Sequence, residues 1–310
     1  MKDESIRYLL HNEIDLAAWD KCIDNASNGL VYGYSFYLDF MSPGWDGLVL
    51  GNYEYVMPLT WKSKYGVSYL YQPQFSASLG VFGTGITDTV VAAFIQAIPS
   101  KFRVIEIDLN RENNLIAMDT GMFVRTNYIL PLNWSYVEIS QKYRDNIKRN
   151  CKKARQFNCS YREEIDVDDV IKLSKSQMQA ISNLTDSDYD EFKKLFDYLL
   201  AREQALACGV YTSENVLIAS CVYFFSHDRA YYILVGNHPN SKVMGASHFL
   251  IDQFIEKRAG SNLTLDFEGS DVRNLAFFYG SFGASTETYP ALRLNRIPWY
   301  LRWLKRKAIR

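Results

Sequence analysis

Apolar and polar positions repeat with two different periods along this chain, and the switches between them mark out the elements. Residues 13–40 carry apolar side chains at helical spacing, with Leu16, Trp19, Cys22 and Ile23 on one face and an aromatic group, Tyr32, Tyr34, Phe36 and Tyr37, behind them. From residue 46 the pattern predicts strands. GLVLGNYEYVMPLTWK sets two apolar runs about a Gly51-Asn52 turn, which is a hairpin signature, and VSYLYQPQ is a further strand ended by Pro73. After a loop with Gly80, Gly83 and Gly85, residues 88–98 return to helical spacing. VIEIDL then reads as a buried strand, and NYILPL closes the first half at Pro131.

The second half opens with Ser135 and Glu138 in capping-box spacing and an apolar stripe of Tyr143, Ile147, Ala154 and Phe157. Residues 168–179 and 188–206 are further helices. Three strands follow, ACGVYTS, NVLIASCVYFF and RAYYILVG, then a loop with His238 and Pro239, and a helix over 245–258 that Gly260 ends. Residues 265–284, LDFEGSDVRNLAFFYGSFGA, organise the rest. Leu265 and Phe267 alternate with Asp266 and Glu268 as a strand, Gly269 breaks it, and Ser270 or Asp271 stands where an N-cap belongs. The helix after it sets Leu275, Ala276, Phe278 and Tyr279 on one face and stops at Gly283, and TYPALRLN is the last strand.

The halves answer each other at an offset of about 160 residues. The hairpin at 47–60 and strand at 67–72 match the hairpin at 209–225 and strand at 230–235, VIEIDL matches LTLDFE, and TGMFVRTNYILPL matches SFGASTETYPALRL. The expectation is an α/β (α+β) chain of two tandem domains, 1–132 and 133–310, each a mixed, mostly antiparallel sheet flanked by helices. A length of 310 residues agrees, being long for one core.

The 265–284 stretch resembles the GNAT (acyl-CoA N-acyltransferase) superfamily, whose last helix often reads N-x-x-A-x-x-x-Y-x-x-x-G-F. Asn274, Ala276, Tyr279 and Gly283 match in kind, with Ala276 one place early and Ala284 in place of the final Phe. A doubled GNAT-like chain resembles the Fem-type peptidyltransferases. The resemblance implies that the family's R/Q-x-x-G-x-G/A turn corresponds to Lys242, Gly245, Ala246 and Ser247, where helix N-terminal amides would meet a CoA pyrophosphate. It implies that pantetheine runs along Leu234, Val235 and Gly236, with a backbone N–H near the strand end stabilising the thioester oxyanion, that Asn274 belongs to the cofactor group, and that Tyr279 is the acid for the leaving thiolate. Attack by an amine also needs a base. Glu268 at the strand tip is the first candidate, with Asp266, also a substrate-binding candidate, and His238 behind it.

The first half lacks counterparts of Gly245 and Tyr279, and reads as a degenerate domain that shapes an acceptor cleft. Tyr71, Gln72 and Gln74, on a Pro- and Gly-rich loop, are its substrate-binding candidates. KYRDNIKRNCKKARQ holds seven basic residues, with Lys148, Lys152 and Arg155 along one face and Arg149 and Lys153 beside them. It is either a solvated face or an anion-binding one, for tRNA over residues 142–155, phosphate-bearing substrate or lipid headgroups.

Composition narrows the picture. A formal net charge of −1 gives no global pull to nucleic acid or membrane, and 48% hydrophobic with 15% aromatic content is that of a packed protein. No apolar run nears the roughly 20 residues of a membrane span. MKDESIRYLL lacks a signal-peptide core, and the five scattered cysteines fit reduced thiols, so a cytoplasmic location is expected. The four histidines show no H-x-x-x-H spacing, which speaks against a metal. The basic tail, 297–310, sets Trp299 and Trp303 among Arg302, Lys305, Arg306, Lys307 and Arg310, a pattern suited to peripheral contact with the inner membrane face.

Three readings result. The first is an acyl-CoA-dependent N-acyltransferase acting on an amine of a small-molecule, peptide or lipid-linked acceptor. The second is a Fem-type transferase using aminoacyl-tRNA on a cell-wall or lipid-linked amine. The third is a non-catalytic protein that binds a ligand or partner.

Overall fold

A computed structural model describes residues 5–114, 121–178, 184–269 and 271–298. Ser270 and the two tryptophans of the basic tail lie outside the described residues. The chain divides into two compact units, Met1–Arg125 with Thr288–Arg310, and Thr126–Glu287.

The first unit runs β1 (Ile6–Leu9), α1 (Leu16–Asn25), α2 (Ser35–Met41), β2 (Asp46–Leu50), β3 (Tyr55–Leu59), β4 (Trp61–Lys64), β5 (Val67–Tyr71), β6 (Phe82–Gly83), α3 (Asp88–Ala97) and β7 (Phe102–Asp108). The helical pattern of 13–40 is thus two helices. Asp15 caps α1 by accepting from the Ala17 and Ala18 amides, and α1 stops at Ala26, whose backbone is extended. Strands β1, β2, β3 and β6 form one antiparallel sheet. In the other sheet β4 pairs with β5, β5 runs parallel to β7, and β7 pairs antiparallel with Ala291–Asn295 from the chain's last strand. Leu48, Phe94, Phe102, Ile105 and Leu292 meet in one core.

The chain enters the second unit within β8 (Met122–Pro131). It continues as α4 (Tyr136–Gln141), α5 (Asp145–Gln156), β9 (Ser160–Glu163), α6 (Val167–Met178), α7 (Asp186–Leu200), β10 (Ala205–Tyr211), β11 (Leu217–Ser226) and β12 (Arg229–Asn237). Then come α8 (Pro239–Met244), α9 (Ala246–Arg258), β13 (Thr264–Asp266), α10 (Arg273–Gly280) and β14 (Ser285–Asn295). The capping box of Ser135 and Glu138 forms at α4. Strands β9 to β12 are antiparallel, β13 lies parallel to β12, and β13 pairs antiparallel with β8. Helix α9 buries Leu250, Phe254 and Ile255 completely, and Phe254 stacks on Tyr223 of β11 at 3.8 Å. Burial of each such side chain contributes about 1.5–3 kcal/mol.

Three local expectations change. The single helix of 245–258 has a short helix before it, because Pro239 occupies a first-turn position under a His238 cap and Gly245 turns the chain in the left-handed region (φ +75°). Asp271 does not cap α10. Val272 is the N-cap residue, and the Asp271 carboxylate accepts instead from the Thr126 amide. On α10, Leu275 and Phe277 are exposed, and the buried residue is Tyr279.

Candidate functional site

In the second unit Leu234, Val235 and Gly236 lie on β12 and Asp266 ends β13, two strands that part. The two strands pair only from Arg229 to Tyr231, opposite Thr264 to Asp266. Beyond Tyr231, the edge of β12 that faced β13 has no strand partner among the described residues, while its other edge stays paired with β11. A bulge sits at the divergence: Tyr232 is opposite Tyr223 and Leu234 is opposite Val222, so Ile233 is the extra residue. Leu234, Val235 and Gly236 therefore lie on a strand with one free edge, as an extended ligand requires. One face of Gly236 is taken. A Cβ there would meet the Ser174 amide nitrogen at 2.7 Å, so this glycine admits α6.

At the tip of β13, Asp266 is buried and both its oxygens are committed. Oδ2 accepts from Arg229 at 2.6 Å, and Oδ1 accepts from Asn127 Nδ2 at 2.8 Å and from the Glu268 amide at 2.9 Å. Arg229 also binds Glu287 through two nitrogens, at 2.8 and 3.1 Å. Burial disfavours a guanidinium, yet the facing carboxylates of Asp266 and Glu287 outweigh it and hold Arg229 charged. With its oxygens occupied, Asp266 is a support of the site rather than a group that meets substrate.

Glu268 follows with a left-handed backbone (φ +65°), as does Gly269 (φ +77°). For glutamate this conformation costs about 1–2 kcal/mol relative to glycine. Tyr279 lies below, buried and stacked on Phe267 with ring centroids at 4.7 Å. Burial, and then the charge of Glu268, push the Tyr279 hydroxyl up to about 12, so it is protonated at neutral pH and able to donate. Asn274 is exposed in the first turn of α10.

The Lys242–Ser247 turn is placed differently from its expected role. A Cβ on Gly245 would lie 2.3 Å from the Asn150 carbonyl oxygen, so α5 packs directly over the turn. Gly245 and Ala246 are buried, Lys242 is exposed, and the Ser247 hydroxyl donates to Asn237 Oδ1 at 2.6 Å beside Ser241. The glycine serves helix packing. Gly245→Val is expected to cost about 3 kcal/mol or more, through both the positive φ and the backbone collision. Urea unfolding measures it, and an unchanged midpoint would mean that α5 does not rest on this turn.

Helix α5 is fixed from below. Buried Asp252 accepts from Tyr136 at 2.8 Å and Arg155 at 3.1 Å, and Ile147, Cys151 and Ala154 face the core. Its outer face carries exposed Lys148, Arg149, Lys152 and Lys153. At its start, Arg144 lies over the Phe277 ring at 5.0 Å and Lys142 over Trp134 at 5.3 Å.

Sequence reading missed Arg229 and His248. An arginine opening an otherwise apolar strand was the available signal for the first. His248, in the first turn of α9, meets Phe278 edge-on at 4.9 Å, and Asn150 Nδ2 lies 3.4 Å from its Nε2. Burial pushes its pKa down to about 4. The folded state thus favours neutral His248, a contribution complete above the unfolded value near 6.5 and lost as pH falls toward 4. His248→Gln should remove up to about 3 kcal/mol of that pH dependence. Urea midpoints of both proteins across this range measure it, and parallel curves would contradict it.

In the first unit, Gln72 acts as a loop clamp: Oε1 accepts from the Asp108 amide at 2.9 Å and Nε2 donates to the Ser76 carbonyl at 2.9 Å. Tyr71 bonds Ser42 at 3.1 Å under Lys62, and Gln74 is exposed. Among the described residues no cluster of three metal-ligating side chains occurs, and no helix is long and apolar enough to cross a membrane.

No family model matches the chain, and no curated protein matches it significantly. Solved structures do. FemX aligns at 13% identity with a TM-score of 0.67, over 96% of this chain and 99% of that one. L-PGS from Bacillus licheniformis aligns at 11% identity with a TM-score of 0.53, over 86% and 89%. The C-terminal domain of a putative lysylphosphatidylglycerol synthetase from Agrobacterium fabrum aligns at 10% identity with a TM-score of 0.51, over 92% of each. At these identities the likeness is one of fold, and the chain has a FemX-like mixed α/β fold.

Proposed function

We propose that this chain is a Fem-type N-acyltransferase that moves an aminoacyl group from tRNA to a primary amine of a peptide- or lipid-linked acceptor. One observation carries the choice of donor. The turn that would cradle a CoA pyrophosphate has the backbone of α5 at Asn150 packed against its glycine, while the same helix turns Lys148, Arg149, Lys152 and Lys153 to solvent. Such a row suits the phosphodiester backbone of RNA, where binding rests on displaced counterions. The fold shared with FemX and with lysylphosphatidylglycerol synthetase domains supports a transferase.

The free edge of β12 beside the Ile233 bulge receives the aminoacyl ester. The neutral amine attacks the ester carbonyl, Glu268 takes the amine proton, and backbone N–H groups of β12 stabilise the oxyanion. The C–N bond forms first; as the oxyanion collapses, the C–O bond to the ribose breaks, the Tyr279 hydroxyl protonates the departing ribose oxygen, and the proton held by Glu268 returns to Tyr279 by way of solvent. An acyl-CoA donor is the second reading, favoured by the same open edge from Tyr232 to Asn237.

Thermal unfolding and transfer to a soluble amine acceptor test the choice, using aminoacyl-tRNA and acetyl-CoA in parallel. Aminoacyl-tRNA should raise the melting temperature and support transfer, and acetyl-CoA should do neither. Stabilisation and transfer by acetyl-CoA alone would reverse the assignment.

A further inference from the structure

The geometry points to Arg229 and Asp266 as positioning residues, which together hold Glu268 in its left-handed turn at the place where β12 and β13 part. The inference rests on the proposal above that Glu268 is the base. Arg229 opens β12, and its side chain is only 10% exposed. Its guanidinium fixes Asp266 Oδ2 from one side and is itself fixed by Glu287 from the other. Asp266 is left with one orientation, in which Oδ1 takes the Asn127 amide and the Glu268 N–H.

That N–H bond spans only two residues, from 268 back to 266, and it closes the turn with Glu268 at φ +65°. A glycine would adopt this conformation without strain, as Gly269 does next to it. Held by the Asp266 carboxylate, the left-handed turn sets the direction in which the Glu268 side chain leaves the backbone. The last rung of the β12–β13 pairing, Tyr231 opposite Asp266, lies two residues before Glu268, so the clamp sits at the base of the open edge.

The test uses the full chain with Asp266→Asn, Glu268→Gln and the double variant. Asparagine keeps the shape of aspartate, but it must turn its NH2 either toward Arg229 or toward the two amides. Asp266→Asn should lower kcat about 10- to 100-fold with KM within about twofold, and should displace the acidic limb of the pH profile. In the Glu268→Gln background the same change should cost less than about twofold, since the group it positions is gone. Hydrogen exchange at the Glu268 amide should quicken at least about tenfold in Asp266→Asn. An equal loss of kcat in both backgrounds would make Asp266 merely structural and overturn the inference, as would unchanged exchange at Glu268. If neither aminoacyl-tRNA nor acetyl-CoA supports transfer by the wild-type protein, the functional proposal fails, and the exchange measurement alone decides whether Asp266 holds Glu268.

Discussion

Arg229→Met should lower the stability of the protein by about 3–5 kcal/mol, because it leaves two carboxylates in a poorly solvated place without their cation. The side chains of Asp266 and Glu287 are only 6% and 18% exposed, and both lose a guanidinium at once. Methionine retains most of the arginine stem's bulk, so the loss reports charge rather than a cavity. Urea unfolding measures it. The triple variant Arg229→Met, Asp266→Asn, Glu287→Gln should recover most of the loss, since its neutral groups need no counter-charge. A single variant within about 1 kcal/mol of wild type would show that water reaches the cluster.

Reversing four charges on α5, as Lys148→Glu, Arg149→Glu, Lys152→Glu and Lys153→Glu together, should weaken tRNA binding by roughly 100-fold or more at physiological salt while leaving the fold intact. These side chains are exposed, and the helix is held by Ile147, Cys151, Ala154 and the Arg155–Asp252 pair, none of which changes. For about four phosphate contacts on tRNA, the logarithm of wild-type affinity should fall with the logarithm of salt at a slope of roughly −3 to −4. The variant should lose most of that slope. Equal affinity and slope in the two proteins, measured by fluorescence titration, would make α5 a solvated face.

Much of this architecture was legible because its signals are local. The hairpin about Gly51-Asn52, the capping box of Ser135 and Glu138, and the apolar runs of β11 and β12 are each set by neighbours a few residues away. Asp108 ends β7 on the guanidiniums of Arg125 and Arg293, as Asp266 ends β13 on Arg229.

The candidate site was less legible because its contacts are distant along the chain. Arg229 reaches partners 37 and 58 residues away, and no periodicity announces them. Gly245 shows the same difficulty. Glycine before a helix fits both close approach of an anion and close approach of another helix, and only the position of Asn150 separates them. Asp271 was misread as a cap because a carboxylate before a helix has the right chemistry, while the Thr126 amide that claims it lies 145 residues earlier.

The return of β14 to β7 fixes an order of events during synthesis. Ile105 and Ile107 of β7 pair with Leu294 and Leu292, roughly 185 residues further along. At about 5–20 residues per second, a ribosome needs roughly 10–40 s to cover that distance. For that interval the edge of β7 waits without its neighbour, while Thr126–Glu287, continuous in the chain, has all its residues available first. The nascent polypeptide thus carries a half-finished β-edge through most of its elongation, the period in which a holding chaperone would do most good.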